Sequence, residues 1–178
     1  MKNANPVSSG LAAAAAAILT LFIAGCGSGK TSDAAPEQKT VVDHFPVGVG
    51  GSAASLQVAV LESEQMRGLM QRPDLGRDEG MIFVYERPRV LSIWIRNTPE
   101  ALNLAYLTRD GVIAEVYDLL PLDERPVTSH RSELQFALEM PGGWFAAHGV
   151  RPGSRVDMRA VAAALKARGF DPGKFGIR

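Results

Sequence analysis

Leu56, Val58 and Val60 alternate with Gln57 and Ala59, a period of two that predicts a half-buried strand after a glycine-rich turn at Gly48 to Gly51. Met66, Leu69 and Met70 fall at i, i+3 and i+4, so a short helix capped by Ser63 is expected next, with Arg67 beside its apolar stripe. The continuous apolar run Met81 to Tyr85 is too short for a comfortable helix and rich in strand formers, which makes it a central strand. From Leu91 to Ile95 the period of two returns: Leu91, Ile93 and Ile95 share one face, and Ser92, Trp94 and Arg96 the other. Leu102–Leu107 and Val112–Tyr117 form a hairpin through Thr108-Arg109-Asp110-Gly111, where Asp-Gly is a strong turn signal. A further strand is expected from Leu134 to Met140, then one helical turn from Trp144 to His148 stopped by Gly149. Arg155 to Met158 is expected to close the sheet, and Val161 to Arg168 to form a short helix ended by Gly169. Hairpins dominate, so the expected fold is α+β and β-rich: a mainly antiparallel, barrel-like or sandwich domain with short helices.

The first forty residues follow a different pattern. Met1-Lys2 precedes an apolar block from Leu11 to Ile23, and small residues follow at Ala24-Gly25. That order is the order of a secretory signal, and the block falls short of the roughly 20 apolar residues that span a bilayer. Ile23-Ala24-Gly25-Cys26 resembles the lipobox that directs acyl transfer to a cysteine, so cleavage before Cys26 and anchoring to a membrane through its acyl chains are expected. Several such chains anchor a protein firmly, because each buried methylene contributes about 0.8 kcal/mol. Gly27 rather than aspartate follows, which in typical lipoproteins suggests the outer membrane, facing the periplasm, where the cell has one. The expected organisation is a signal over 1–25, a lipidated Cys26 with a polar tether over 26–40, a folded domain over 41–158 and a helical extension over 159–178.

Charge narrows the partners. Lys+Arg and Asp+Glu both number 19, so no strong field favours nucleic acid. The single cysteine cannot form an intramolecular disulfide, and an exported domain must then be stable without one.

Several motifs in order carry a family resemblance. Arg67-Gly68-Leu69-Met70, Gly80-Met81-Ile82-Phe83, Trp94-Ile95-Arg96-Asn97-Thr98 with Leu102-Asn103, and Leu138-Glu139 with Gly149 and Gly153 resemble the DUF192 family over roughly Leu56 to Val156. The resemblance implies a small, β-rich, often exported or lipid-anchored protein without an established biochemical role. The family's usual Trp-Met-Lys-Asn-Thr is Trp94-Ile95-Arg96-Asn97-Thr98 here, its usual aspartate after Pro-Leu is Asn103, and its frequent cysteine pair is absent between Asp118 and Ser132.

The best candidate site is the face carrying Trp94 and Arg96, joined by Asn97, Asn103 and Arg67. An indole, guanidinium groups and amides suit a glycan, another small polar ligand or an envelope protein. The alternative is structural, with Trp94 packed against Trp144 or the helix carrying Met66. A hydrolase reading would draw a carboxylate acid or base from Glu115, Glu139, Asp78 or Glu79. No Gly-x-Ser-x-Gly elbow occurs, His44, His130 and His148 lack paired metal-ligand spacing, and no metal or cofactor is expected.

Overall fold

The computed structural model describes residues 37–70, 75–94, 98–123 and 125–178. The signal-like block, Cys26, Ile95, Arg96 and Asn97 lie outside the described residues.

Six strands make the main sheet: β1 (Phe45–Val49), β2 (Ser52–Ala59), β3 (Glu79–Arg89), β4 (Leu102–Thr108), β5 (Ile113–Leu119) and β6 (Leu134–Pro141). They lie in the order β1-β2-β3-β6-β4-β5. Among the described residues only β2 and β3 run parallel, the helix α1 (Glu62–Arg67) lying in the connection between them. Two short strands, β7 (Ser92–Ile93) and β8 (Val127–Thr128), pair antiparallel as a second, small sheet. The main ladder does not close into a barrel. Its edges are β1 and β5, and the segment 153–157 reaches both at one end, with single bridges Val49 to Val156 and Val112 to Arg155. The stretch expected to close the sheet therefore does so only at isolated bridges, since Asp157 already caps the helix α2 (Met158–Ala167) by accepting from Arg159 N and Ala160 N. The turn expected from Trp144 to His148 is present as Trp144–Ala147.

Alternation along the strands gives the sheet two cores. One face buries Leu56, Val58, Ile82, Val84, Leu107, Phe136 and Leu138 against Trp144, Phe145 and the α2 residues Val161, Ala164 and Leu165. The other buries Met81, Phe83, Leu104, Tyr106 and Ala137 beneath Leu69, Leu91 and Ile93. The small sheet belongs to this second face. Tyr106, fully buried, donates its hydroxyl to Val127 O at 2.5 Å and accepts from Ile93 N at 3.1 Å, tying β7 and β8 to β4.

Three sequence expectations shift, each for a local reason. Strand β1 falls partly in the stretch read as a turn; the turn itself is only Gly50-Gly51, both at positive φ, as a tight two-residue hairpin loop requires. Helix α1 begins at Glu62 without a Ser63 cap. Its N-terminus is closed by Glu64, whose Oε2 accepts from Val60 N and Leu61 N at 2.9 and 3.0 Å. It stops at Arg67, because Gly68 turns the chain at φ +48°; Leu69 then drops into the core, whereas Met66 stays 67% exposed.

The C-terminal segment is part of this core. Val161, Leu165, Phe175 and Ile177 are buried in the first cluster, and Arg168 reaches across to α1. Its guanidinium donates to Val58 O and to both oxygens of Glu64, the Nη1 bond to Oε2 measuring 3.2 Å. Burial alone raises the Glu64 carboxyl, but Arg168 and the N–H groups of Val60 and Leu61 outweigh it and hold it below the usual range.

Removing one partner of such a pair strands the other charge. Arg168→Ala is expected to destabilise the fold by about 3–5 kcal/mol in a denaturant melt. A loss below about 1 kcal/mol would show that the pair does not hold α1 to the C-terminal segment.

Candidate functional site

On β6, Ala137 faces the second core, and Glu139, two residues on, faces the same way. Its register partners are Met81 on β3 and Leu104 on β4, both apolar, so the sheet itself offers this carboxyl no water. Glu139 is 3% exposed. Burial pushes its pKa up to about 8, which keeps it an uncharged acid through the neutral range.

Above Glu139 lies a cavity of about 210 Å³. One wall is α1 and its exit, with Glu62, Gln65, Met66, Arg67 and Gly68; β3 supplies Phe83, Tyr85 and Arg89; Ser92, Ile93, Trp94 and Thr98 form the other side. Gly68 makes the roof. A side chain there would meet Phe83 Cζ at 3.4 Å and Glu139 Oε2 at 3.8 Å, and it would be strained at the positive φ. Helix α1 is fixed over the cavity by Gln65, whose Nε2 donates to Val60 O and Val84 O at 3.2 and 2.9 Å. The Arg89 guanidinium sits 4.5 Å from the Tyr85 ring centroid, a cation–π contact at the rim.

Trp94 is 51% exposed at this rim and does not pack against Trp144, which is buried on the opposite core with its Nε1 donating to Asp78 Oδ1 at 2.9 Å. Trp94 does share the cavity with the Met66 helix. Arg67 lines the cavity from an exposed position. Asn103 is elsewhere. It lies buried on the first core's face, donates to Asp118 Oδ1 at 2.6 Å and accepts from Phe145 N at 3.2 Å, so it pins the Trp144–Ala147 turn to the hairpin.

The carboxylates considered for hydrolysis are dispersed. Glu115 accepts from the Tyr117 hydroxyl and the backbone of His130 and Arg131. Glu79 accepts from Gly76 N, and Asp78 holds Trp144. Glu139 alone among the four lines the cavity. Among the described residues no group of three or more His, Cys, Asp or Glu side chains is arranged to hold a metal ion. The buried acid, the roof glycine and the Tyr85–Arg89 pair escaped sequence reasoning as a site; Glu139 was legible only as one acid among several, although a charge inside the alternating run Leu134 to Met140 was a signal of a polar group aimed into the core.

These features define a class: a β-rich α+β domain with a two-faced mixed sheet and a small, half-open cavity over a buried acid. The family profile of DUF192, described as an uncharacterized ACR, matches residues 46–158. The chain belongs to this family. Two solved structures are similar: a protein of unknown function from Novosphingobium aromaticivorans DSM 12444, at 32% identity and TM-score 0.61, covering 70% of this chain and 94% of that one; and a candidate transcription regulator from Sinorhizobium meliloti 1021, at 26% identity and TM-score 0.62, covering 67% and 96%. Among curated proteins none matches significantly.

The buried acid has a pH signature. A carboxyl raised from its ordinary value near 4.3 to about 8 stabilises the fold fully below the ordinary value, and that contribution is lost as pH rises toward 8. Glu62 and Arg67 on α1, Tyr85 and Arg89 on β3 and Tyr106 on β4 are the ionisable groups around it. Glu139→Gln, which cannot ionise, is expected to gain stability relative to the parent progressively between about pH 4.3 and 8 and to keep a constant advantage above that. Urea melts across that range check it; a difference independent of pH would show that Glu139 is not a raised acid.

Proposed function

We propose that this protein is an exported, lipid-anchored binding protein that holds a small polar ligand in the cavity between α1, Trp94 and Glu139. The observation that carries the reading is the combination of a half-exposed indole at the mouth and a fully buried acid at the floor of one cavity. An apolar body with a few placed polar groups is how small-molecule sites achieve orientation. At about 210 Å³ the space is below that of pockets for drug-sized molecules, which favours a ligand the size of one sugar ring or one amino acid over a docked protein.

Arg96 and Asn97, two and three positions after Trp94 in the sequence, lie outside the described residues and stay candidates for ligand recognition by their chemistry alone. Asn103 is proposed to act only through the shape of the fold, given its bonds to Asp118 and Phe145. A role in transcription, as described for the Sinorhizobium relative, is not carried over, because 19 basic and 19 acidic residues give no field to attract nucleic acid. Export and anchoring rest on the signal-like first 25 residues and on Cys26.

Two experiments test the two halves of the reading. Trp94→Ala is expected to weaken ligand binding, scored by calorimetry against a library of small sugars and amino acids, by at least tenfold, with a stability change below about 0.5 kcal/mol. A loss of 3 kcal/mol or more with binding by the folded fraction unchanged would make Trp94 structural. Cys26→Ser is expected to abolish labelling by a fatty-acid analogue in cells and to block cleavage before position 26; a labelled, normally processed variant would remove the anchor from the account.

A further inference from the structure

The charges around the cavity are balanced and separated. Glu139 lies at the floor with 3% exposure, while Arg67 and Arg89 stand among the lining groups from α1 and β3, with Glu62 at the opposite end of α1 from Arg67. The guanidinium of Arg89 is held over Tyr85. Phe83, Tyr85 and Trp94 supply the aromatic surfaces between floor and rim. A neutral sugar can hydrogen-bond a carboxyl but carries no charge to pair with Glu139 or with Arg67 and Arg89. A purely anionic ligand would meet the acid at the floor, and a purely cationic one would meet two arginines at the entrance.

We infer that the cavity beneath α1 is built for a small zwitterion, a free α-amino acid, whose ammonium group pairs with Glu139 and whose carboxylate is held by Arg67 and Arg89. The inference rests on the reading of this cavity as the ligand site. Guanidinium groups suit a carboxylate because their fork matches its two oxygens, and the aromatic faces accept the ligand's apolar side chain. A buried carboxyl is costly as a lone anion but is matched once a cation sits against it, so the empty and filled cavity each have a stable protonation state: carboxylic acid without ligand, carboxylate with an ammonium. The bound state of Glu139 thus releases one proton to solvent. This gives a signature that a sugar site lacks.

The test uses the full chain in detergent and titrates the twenty L-amino acids by calorimetry, together with glucose, N-acetylglucosamine, and the N-acetyl and amide derivatives of the tightest amino acid. The expected result is that a free amino acid binds, that blocking either its amine or its carboxylate weakens it at least tenfold, and that measurements near pH 7 in buffers of different ionisation enthalpy show close to one proton released. Glu139→Gln is expected to lose that proton release and at least tenfold in affinity. Arg67→Gln, at an exposed position that leaves the fold intact, is expected to weaken the free acid but not the amide. A neutral sugar binding as tightly as any amino acid, or a blocked derivative binding as well as its parent, would overturn the zwitterion inference while leaving the cavity as a ligand site. Failure of every probe to bind would overturn both.

Discussion

The arrangement of this domain depends on a carboxyl buried where a sheet would ordinarily place an apolar side chain. Glu139 sits between Met81 and Leu104 on the covered face, and keeping it uncharged is what makes that position tolerable. The surroundings follow from this. Gly68 takes the positive φ that turns the chain from α1 past the carboxyl, Phe83 and Tyr85 flank the space left open, and α1 covers it without filling it. A pocket of about 210 Å³ that opens to solvent over a buried acid keeps its shape only if the elements around it are held in place.

That support comes from distant sequence. Gln65 clamps α1 to Val60 and Val84, and the Arg168 guanidinium, more than a hundred residues away, grips Glu64 at the helix's first turn. Glu64 serves twice, as the helix cap and as the anion of the buried pair. The family match ends at residue 158, so the arginine that holds the cavity wall lies outside the shared segment. On the opposite core, Asn103 and Asp78 do comparable service for the Trp144 turn, and this separates the residues that hold the fold from those that line the cavity.

Much of the sheet was legible because its strands carry their burial as alternation or as apolar runs, as at Leu56 to Val60, Met81 to Tyr85 and Leu134 to Met140. The Asp110-Gly111 turn announced its hairpin in the same direct way. Strand β1 did not, because the turn formers Pro46 and Gly48 fill the alternate positions between Phe45, Val47 and Val49 and mask the period of two, and β8 is two residues long and exists only by pairing with β7. Helix α1 was placed correctly but extended too far, since the apolar spacing of Met66, Leu69 and Met70 carried past the glycine that ends it. Of the site, Trp94 and Arg67 were legible as surface groups suited to recognition, and the structure brings both to one cavity. Asn103 is close to Trp94 in sequence yet points to the other face, which the two-residue period decides and a list of motifs does not. The role of Glu139 needed the third dimension, because its neighbours come from β3, β4 and the turn after α1.

The cavity's character turns on the protonation of that one side chain. Carboxyl-carbon NMR of the full chain labelled in glutamate, with Glu139 assigned by comparison with Glu139→Gln, measures it directly. The account predicts a titration midpoint near 8 in the absence of ligand, well clear of the other glutamates. A midpoint near 4, the value of a solvated glutamate, would mean that the cavity floor carries a permanent charge and would contradict the central claim.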